Sequence, residues 1–499
     1  MHKKVMIQGT GSSVGKSIIT AGLCRIFAQD GYRVSPFKSQ NMALNSFVDI
    51  DGLEMGRAQV VQAEAAKELP RAFMNPILLK PNSDNNSQII IEGVPAKNMN
   101  AVDYFSNSAK LKEIAKRNYK IIEDNFDIGV LEGGGSPAEI NLRQWDLVNM
   151  GMAELIDAPV ILVGNIETGG VFASLYGNIA LLDEEDRKRI KGVIINKFRG
   201  DVELLKPGIK MFEERLQGEG FDIKVLGVVP YINLNIEEED VLAKKLTTNT
   251  NEKKDINISV IRTNKMSNYT DFDALSQYPD VALNYVYDVK ELGNEDIIIL
   301  PGSKNTITDL EMLKDNEIFD KIKELHSKGT TVVGICGGFQ MLGKEIFDPH
   351  HIESNFEKTA GFGILDTVTT MEKVKYTHQV EKTLSKIESP LLEGCNGLVV
   401  KGYEIHQGVT KGNEINLTTE DNLIFIAKEN SFGTYIHGIF DNGEFTRKFL
   451  NNIRRRKGLA PIDESFSFTD FKEREYDKLA DHLRANLNIE EIYKILGWL

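Results

Sequence analysis

The stretch GTGSSVGKS, Gly9 to Ser17, decides how the chain is read. It follows the β-rich run KKVMIQ and precedes a helix expected from Gly15 to about Gln29, so a Gly/Ser turn joins a buried strand to a helix N-terminus. Such a turn aims backbone N–H groups and the positive end of the helix dipole at an anion. The strict phosphate-loop spacing, G-x-x-x-x-G-K-[ST], fails by one residue: Thr10 stands where the first glycine belongs, and the glycines are Gly9 and Gly11. Gly15, Lys16 and Ser17 keep the other end of the loop, with a backbone free to turn, a point charge for phosphate and a hydroxyl for Mg²⁺. Thr10, Gly11, Ser12, Gly15, Lys16 and Ser17 are the expected nucleotide contacts.

Outward from this loop, short apolar runs alternate with helical segments: RVSPFK, DIGVLEGGG, DAPVILVGN, KGVIINKF and IKVLGVVPY. Continuously apolar strands between helices predict a parallel sheet covered on both faces. The pattern fades at KKLTTNTNEKKD and resumes with INISVIRT, DVALNYV, EDIIILPG and TTVVGICGG, a second sheet of its own. The expectation is an α/β protein of two doubly wound domains, residues 1–245 and 256–445, joined by a linker at 246–255. A helical extension, 446–499, follows, in which Leu479, Leu483, Leu487, Ile492 and Ile495 recur at helical spacing for packing. A chain of 499 residues, 41% of them hydrophobic, can fill two cores.

A net charge of −14 argues against nucleic acid as a partner. Three widely spaced cysteines argue for a reduced compartment, and no apolar run suggests a signal peptide or a membrane span, so a soluble cytoplasmic protein without a membrane partner is expected.

The second sheet carries its own reactive turn. GICGG, Gly334 to Gly338, lies between the run TTVV and the helical FQMLGKEIF, the G-x-(S/C)-x-G pattern of a nucleophile elbow. A thiol at a helix N-terminus is biased toward thiolate, which makes Cys336 the expected nucleophile. Its base could come from His437 in YIHGIF or His406 in GYEIHQG, whereas His350 and His351 in DPHHIES read as loop residues.

The longer spacing of the phosphate loop resembles dethiobiotin synthetase and its relatives. The resemblance implies ATP-dependent phosphorylation of a carboxylate, a second phosphate lysine at Lys38, and a Mg²⁺ carboxylate at Glu132, with Asp49 or Asp51 as a second acid. The later half resembles class I glutamine amidotransferases, which implies His437 as the catalytic histidine and an oxyanion hole from Gly302 in LPGSKNT and the N–H of Gly337. The acid usually placed two residues after that histidine is missing, since Gly438 and Ile439 follow, and Glu404 or Asp441 are the candidate substitutes.

Taken together, GTGSSVGKS, PFKSQNMALNS, EGGGSPAEINL, GGVFASLYG, PGSKNT, GICGGFQMLG, GYEIHQG and YIHGIF resemble the cobyric acid synthase family over nearly the whole chain. That family shares the missing acid. The resemblance implies ATP, Mg²⁺, glutamine and a corrinoid polycarboxylate, and amidation of the b, d, e and g side chains. Arg57, Lys80, Arg143 and Arg199 are candidates for a basic patch that receives the polyacid, and Asp146 for a place near the acyl phosphate. Two rivals are weaker. The related cobyrinic acid a,c-diamide synthases are disfavoured by FKSQNMALNS. A partitioning-type ATPase switch would put a lysine where Gln8 and Gly9 stand.

Overall fold

The computed structural model describes residues 2–83, 86–236, 253–419, 422–464 and 466–498. The chain divides into two compact units. The first is Met1–Ala43, Glu54–Asp240 and Phe471–Leu499; the second is Leu44–Leu53 and Val241–Asp470. Of the expected linker, residues 246–252 lie outside the described residues.

The first unit is built on a six-stranded parallel sheet in the order Lys224–Pro230, Ile190–Phe198, Val160–Asn165, Lys3–Gly9, Ile128–Glu132, Val34–Phe37. From Lys3–Gly9 the chain goes to the edge strand Val34–Phe37, returns to Ile128–Glu132, then crosses to Val160–Asn165 and runs outward, and in such sheets ligands bind at the carboxyl ends of the strands where the order reverses. Val5, Ile7, Val130, Ile161 and Val163 face one covering layer and Met6, Leu131 and Leu162 the other, all buried, which is why these strands are apolar throughout. A small sheet of Gln40–Met42, Ile77–Ser83, Asn86–Ile91 and Val94–Met99 stands apart from the main one.

The helix after the phosphate loop, Lys16–Gln29, buries Ile19, Leu23, Ile26 and Phe27 in a core that the chain completes only at its far end. Leu479 and Leu483 from helix Phe468–Asn486, Leu487 just beyond it, and Ile492 from helix Ile489–Ile495 fill the same core. Gly22 marks the closest approach, since a Cβ there would come within 2.2 Å of a Leu483 methyl. Arg25, buried in this contact, pairs with Glu473 at 2.7 Å and Asp477 at 2.8 Å. The segment after residue 445, expected as one extension, is thus shared: helix Gly443–Arg456 belongs to the second unit and Phe471–Leu499 to the first.

The second unit has a six-stranded sheet in the order Val281–Val286, Ile256–Ile261, Ile297–Leu300, Thr331–Ile335, Ser431–Thr434, Phe425–Lys428, parallel except for the last strand. Beside it runs an antiparallel ribbon of Thr367–Thr383 and Val399–Gly412. The short segment Leu44–Leu53 folds against that ribbon: Val48 packs with Tyr403 and Ile405, and the Tyr403 hydroxyl donates to Ser46 O at 3.1 Å. No described helix is long and apolar enough to cross a membrane.

Candidate active sites

The phosphate loop leaves the carboxyl end of Lys3–Gly9 and turns into its helix at Gly15, whose φ of 96° is left-handed. A side chain at Gly15 is excluded twice, by that φ and by the Asn196 Nδ2 atom, 2.1 Å from where a Cβ would stand. Asn196 donates to Val14 O at 2.9 Å and Lys197 to Ser13 O at 2.7 Å, so the end of strand Ile190–Phe198 fixes the loop from the side. Thr10 N donates to Val163 O at 2.9 Å. Lys16, almost fully buried, donates to Gly11 O at 2.7 Å and Gly135 O at 3.3 Å.

Opposite the loop, Glu132 ends its strand 2% exposed. Its Oε1 accepts from Ser17 Oγ and from Lys38 Nζ, both at 2.9 Å, and its Oε2 accepts from Gln62 Nε2 at 2.5 Å. Burial pushes this carboxyl up, but the Lys38 ammonium, the hydrogen bonds from Lys38 and Gln62, and the Lys16 charge outweigh it and hold the group below the ordinary carboxylate range. The arrangement brings together Lys16, Ser17, Lys38 and Glu132 from three separate stretches of chain. Gln62 had no motif to announce it. Asp49 and Asp51 fold with the second unit instead, where Asp49 Oδ1 closes a turn by accepting from Asp51 N and Leu53 N, both at 2.9 Å. Among the described residues, no group of three or more His, Cys, Asp or Glu side chains forms a metal cage. Ser17 and Glu132 offer two oxygens, which suits Mg²⁺ because that ion keeps waters and takes phosphate oxygens for its remaining positions.

In the second unit, strand Thr331–Ile335 runs into Cys336, which adopts φ 51° and ψ −106° before helix Gly337–Leu342 begins. The strained turn explains its glycines. A Cβ on Gly338 would lie 1.9 Å from Leu300 O, one on Gly334 2.5 Å from Gly338 O, and one on Gly337 2.9 Å from Ser303 N. Gly337 and the Gly302–Ser303 strand end therefore meet beside the thiol. His437 is 1% exposed, stacked on Tyr403 at 5.2 Å between ring centroids, and hydrogen-bonded to the Cys336 side chain.

The acid beside His437 is Asp271. Its Oδ2 accepts from His437 Nδ1 at 2.7 Å and its Oδ1 from Gly438 N at 3.0 Å. Burial lowers the affinity of this imidazole for its proton, yet the Asp271 charge and hydrogen bond, with the Cys336 sulfur, raise its pKa to about 10. Neither expected substitute stands there. Glu404 lies between His406 Nε2 at 2.9 Å and His378 Nε2 at 3.3 Å, and those two histidines draw its carboxyl down to about 2 against the effect of burial. Asp441 sits in the 3₁₀ turn Ile439–Asp441 that follows His437. Asp271 was missed because it precedes His437 by 166 residues, in NYTDFDAL, with no spacing to the histidine that a motif could encode. The other two thiols, Cys24 and Cys395, are buried and shifted upward by that burial.

Residues 5–241 match the CobQ/CobB/MinD/ParA nucleotide binding domain family, and residues 257–445 match the CobB/CobQ-like glutamine amidotransferase domain family. The chain is 49% identical to a cobyric acid synthase of Caldanaerobacter subterraneus subsp. tengcongensis over 99% of both chains. It is 50% identical to one of Alkaliphilus metalliredigens, over 98% of this chain and 99% of that one. The chain belongs to the cobyric acid synthase family. It is thus an enzyme of the amidotransferase and ligase kind, in a family that carries out glutamine-dependent amidation in cobalamin biosynthesis.

The remaining residues expected to touch substrate are dispersed through the first unit. A cavity of about 740 Å³ opens beside the Gly134–Gly135 turn, and Arg143 and Asp146 line it. The Arg143 guanidinium meets Asp186 at 2.6 and 2.8 Å and Glu154 at 2.9 Å. The Asp146 carboxylate caps the backbone N–H groups of Val148, Asn149 and Gly151. Lys80 is buried and bonded to Glu54 at 2.6 Å, because strand alternation turns it away from the face on which Leu79 and Pro81 line the cavity. Arg57 opens helix Arg57–Ala65 and is itself buried. Arg199 lies over the Tyr231 ring at 3.7 Å and pairs with Glu167. Of these four cations, Arg143 lines the 740 Å³ cavity and Arg57, Lys80 and Arg199 are not among its lining residues.

Proposed function

We propose that the protein converts adenosylcobyrinic acid a,c-diamide to adenosylcobyric acid, amidating the b, d, e and g carboxylates with ATP and glutamine. The observation that carries this reading is that one chain of this family holds both a buried thiol, imidazole and carboxylate set and a phosphate loop whose lysine faces a buried acid.

In the second unit, the Cys336 thiolate attacks the amide carbon of glutamine, and the N–H groups near Gly302 and Gly337 receive the developing oxyanion. His437, held protonated by Asp271, gives its proton to the departing ammonia; water then cleaves the thioester and releases glutamate. In the first unit, Lys16 and the N–H groups of Gly15 to Ser17 hold the terminal phosphate of ATP, with Thr10, Gly11 and Ser12 lining the loop and Lys38 as a second cation. Ser17 and Glu132 would hold Mg²⁺, which when bound offsets negative charge on the phosphate oxygens. A substrate carboxylate oxygen attacks the terminal phosphorus and the bond to the bridging oxygen breaks, leaving ADP and an acyl phosphate. Ammonia attacks the acyl carbon, phosphate leaves with the bonding pair, and loss of a proton leaves the carboxamide.

The test is to incubate the full-length enzyme with ATP, glutamine and the diamide, counting amide additions by mass and ADP alongside. Equal amounts of ADP and amide are expected. Amide formed without ADP would remove the phosphate loop from the reaction.

A further inference from the structure

The cavity beside the phosphate loop has a character that the polyacid substrate does not lead one to expect. Its walls are apolar and aromatic: Trp145 and Phe105 face each other at 5.2 Å and 32°, with Tyr104, Leu79 and Ile89 around them. Its volume of about 740 Å³ falls within the ~300–1,000 Å³ usual for small-molecule sites. Among the described residues lining it, the acidic and basic ones are Asp103, Glu139, Asp146 and Arg143. The one cation among these is already paired with Asp186 and Glu154, so the rim is acidic.

The cavity also touches the phosphate site. Gly135 lines it and accepts from Lys16 at 3.3 Å. Asn149 pins this turn, accepting from Gly134 N at 3.1 Å and donating to Gly134 O at 2.5 Å. A ligand seated here has one end within reach of the lysine that holds phosphate.

We propose that this cavity seats the corrinoid by its apolar ring edge and its uncharged carboxamide arms, leaving the carboxylate about to react as the charged group that extends past Gly135 toward Lys16. The proposal rests on the amidation reading above. An aromatic wall with an acidic rim repels carboxylates and accepts amides, so each amidation makes the corrinoid a better ligand for the wall. Selectivity for an acceptor that already bears amides then follows from the site itself.

Two variants of the full-length enzyme test this. Trp145→Leu should raise the corrinoid KM by about tenfold or more, as loss of an aromatic anchor does, while the KM for ATP and the glutaminase rate stay as in wild type and so report an intact fold. Asp103→Asn, at an exposed rim position, should lower the KM for the hepta-acid, cobyrinic acid, by about two- to fivefold at low salt with a smaller change for the diamide, and high salt should erase the difference. An unchanged corrinoid KM in Trp145→Leu, or a hepta-acid bound more tightly than the diamide by wild type, would overturn the assignment. Failure of the wild type to amidate any corrinoid would instead overturn the functional reading.

Discussion

The two units use the same local device for different chemistry. Each has a parallel sheet whose interior strand runs into a glycine-bearing turn and then a helix. In the first, the left-handed positions fall to Ser13, at φ 57°, and Gly15, at φ 96°, and the turn gathers N–H groups that can collect phosphate. In the second, the left-handed φ falls to Cys336, so the turn is strained and holds a sulfur beside an imidazole. What separates the two turns is the residue placed at the strand-to-helix junction, a glycine in one and the sulfur-bearing Cys336 in the other. The supporting charges differ as well. Around Glu132, cations keep an acid ionised; around His437, an acid keeps a base protonated.

The largest expected effect concerns what each unit needs in order to fold. Ending the chain at residue 470 would remove Leu479, Leu483 and Leu487 from the core under the phosphate-loop helix. Loss of nucleotide binding and of the cooperative unfolding of the first unit is expected, read by calorimetry with and without ATP. Retained ATP binding would show that the first unit closes without its C-terminal part.

Next, Lys16→Ala should lower amide formation by on the order of 10³-fold or more with either glutamine or added ammonium, while glutaminase activity persists. Cys336→Ala should abolish the glutamine-dependent reaction and leave the ammonium-dependent one. Parallel loss of both activities in either variant would mean the two turns do not work as separate sites.

Asp271→Asn should lower the glutamine-dependent rate by about 10²- to 10⁴-fold and move the basic limb of its pH profile downward, with the ammonium reaction unaffected. Glu404→Gln should leave that limb in place, and a shift there instead would return the orienting role to Glu404.

A smaller effect concerns stability against pH. His437 has a folded pKa of about 10, above its ordinary value of 6.5, so its pairing stabilises the second unit fully below pH 6.5 and that contribution fades as pH rises toward 10. Denaturant titrations of wild type and Asp271→Asn should therefore converge across this window. The smallest effect is expected for Gln62→Ala, which removes a hydrogen bond to Glu132 and should cost about 1–3 kcal/mol of stability.

The sequence by itself determined both turns and the two sheets, because these rest on local rules: apolar strands buried on both faces, glycine where φ is positive, a nucleophile between strand and helix. Lys16, Ser17 and Cys336 could be named from short motifs for that reason, whereas the choice of His437 over His406 came from the resemblance to class I glutamine amidotransferases. Only the tertiary structure decided which acid faces His437, since Asp271 reaches it across 166 residues through packing. It alone also sent Asp49 to the second unit, turned Lys80 inward onto Glu54, and brought the last helices back to the phosphate-loop helix. Side-chain pairing and core closure depend on distances in space, and one chain's residue order does not record which distant segments meet.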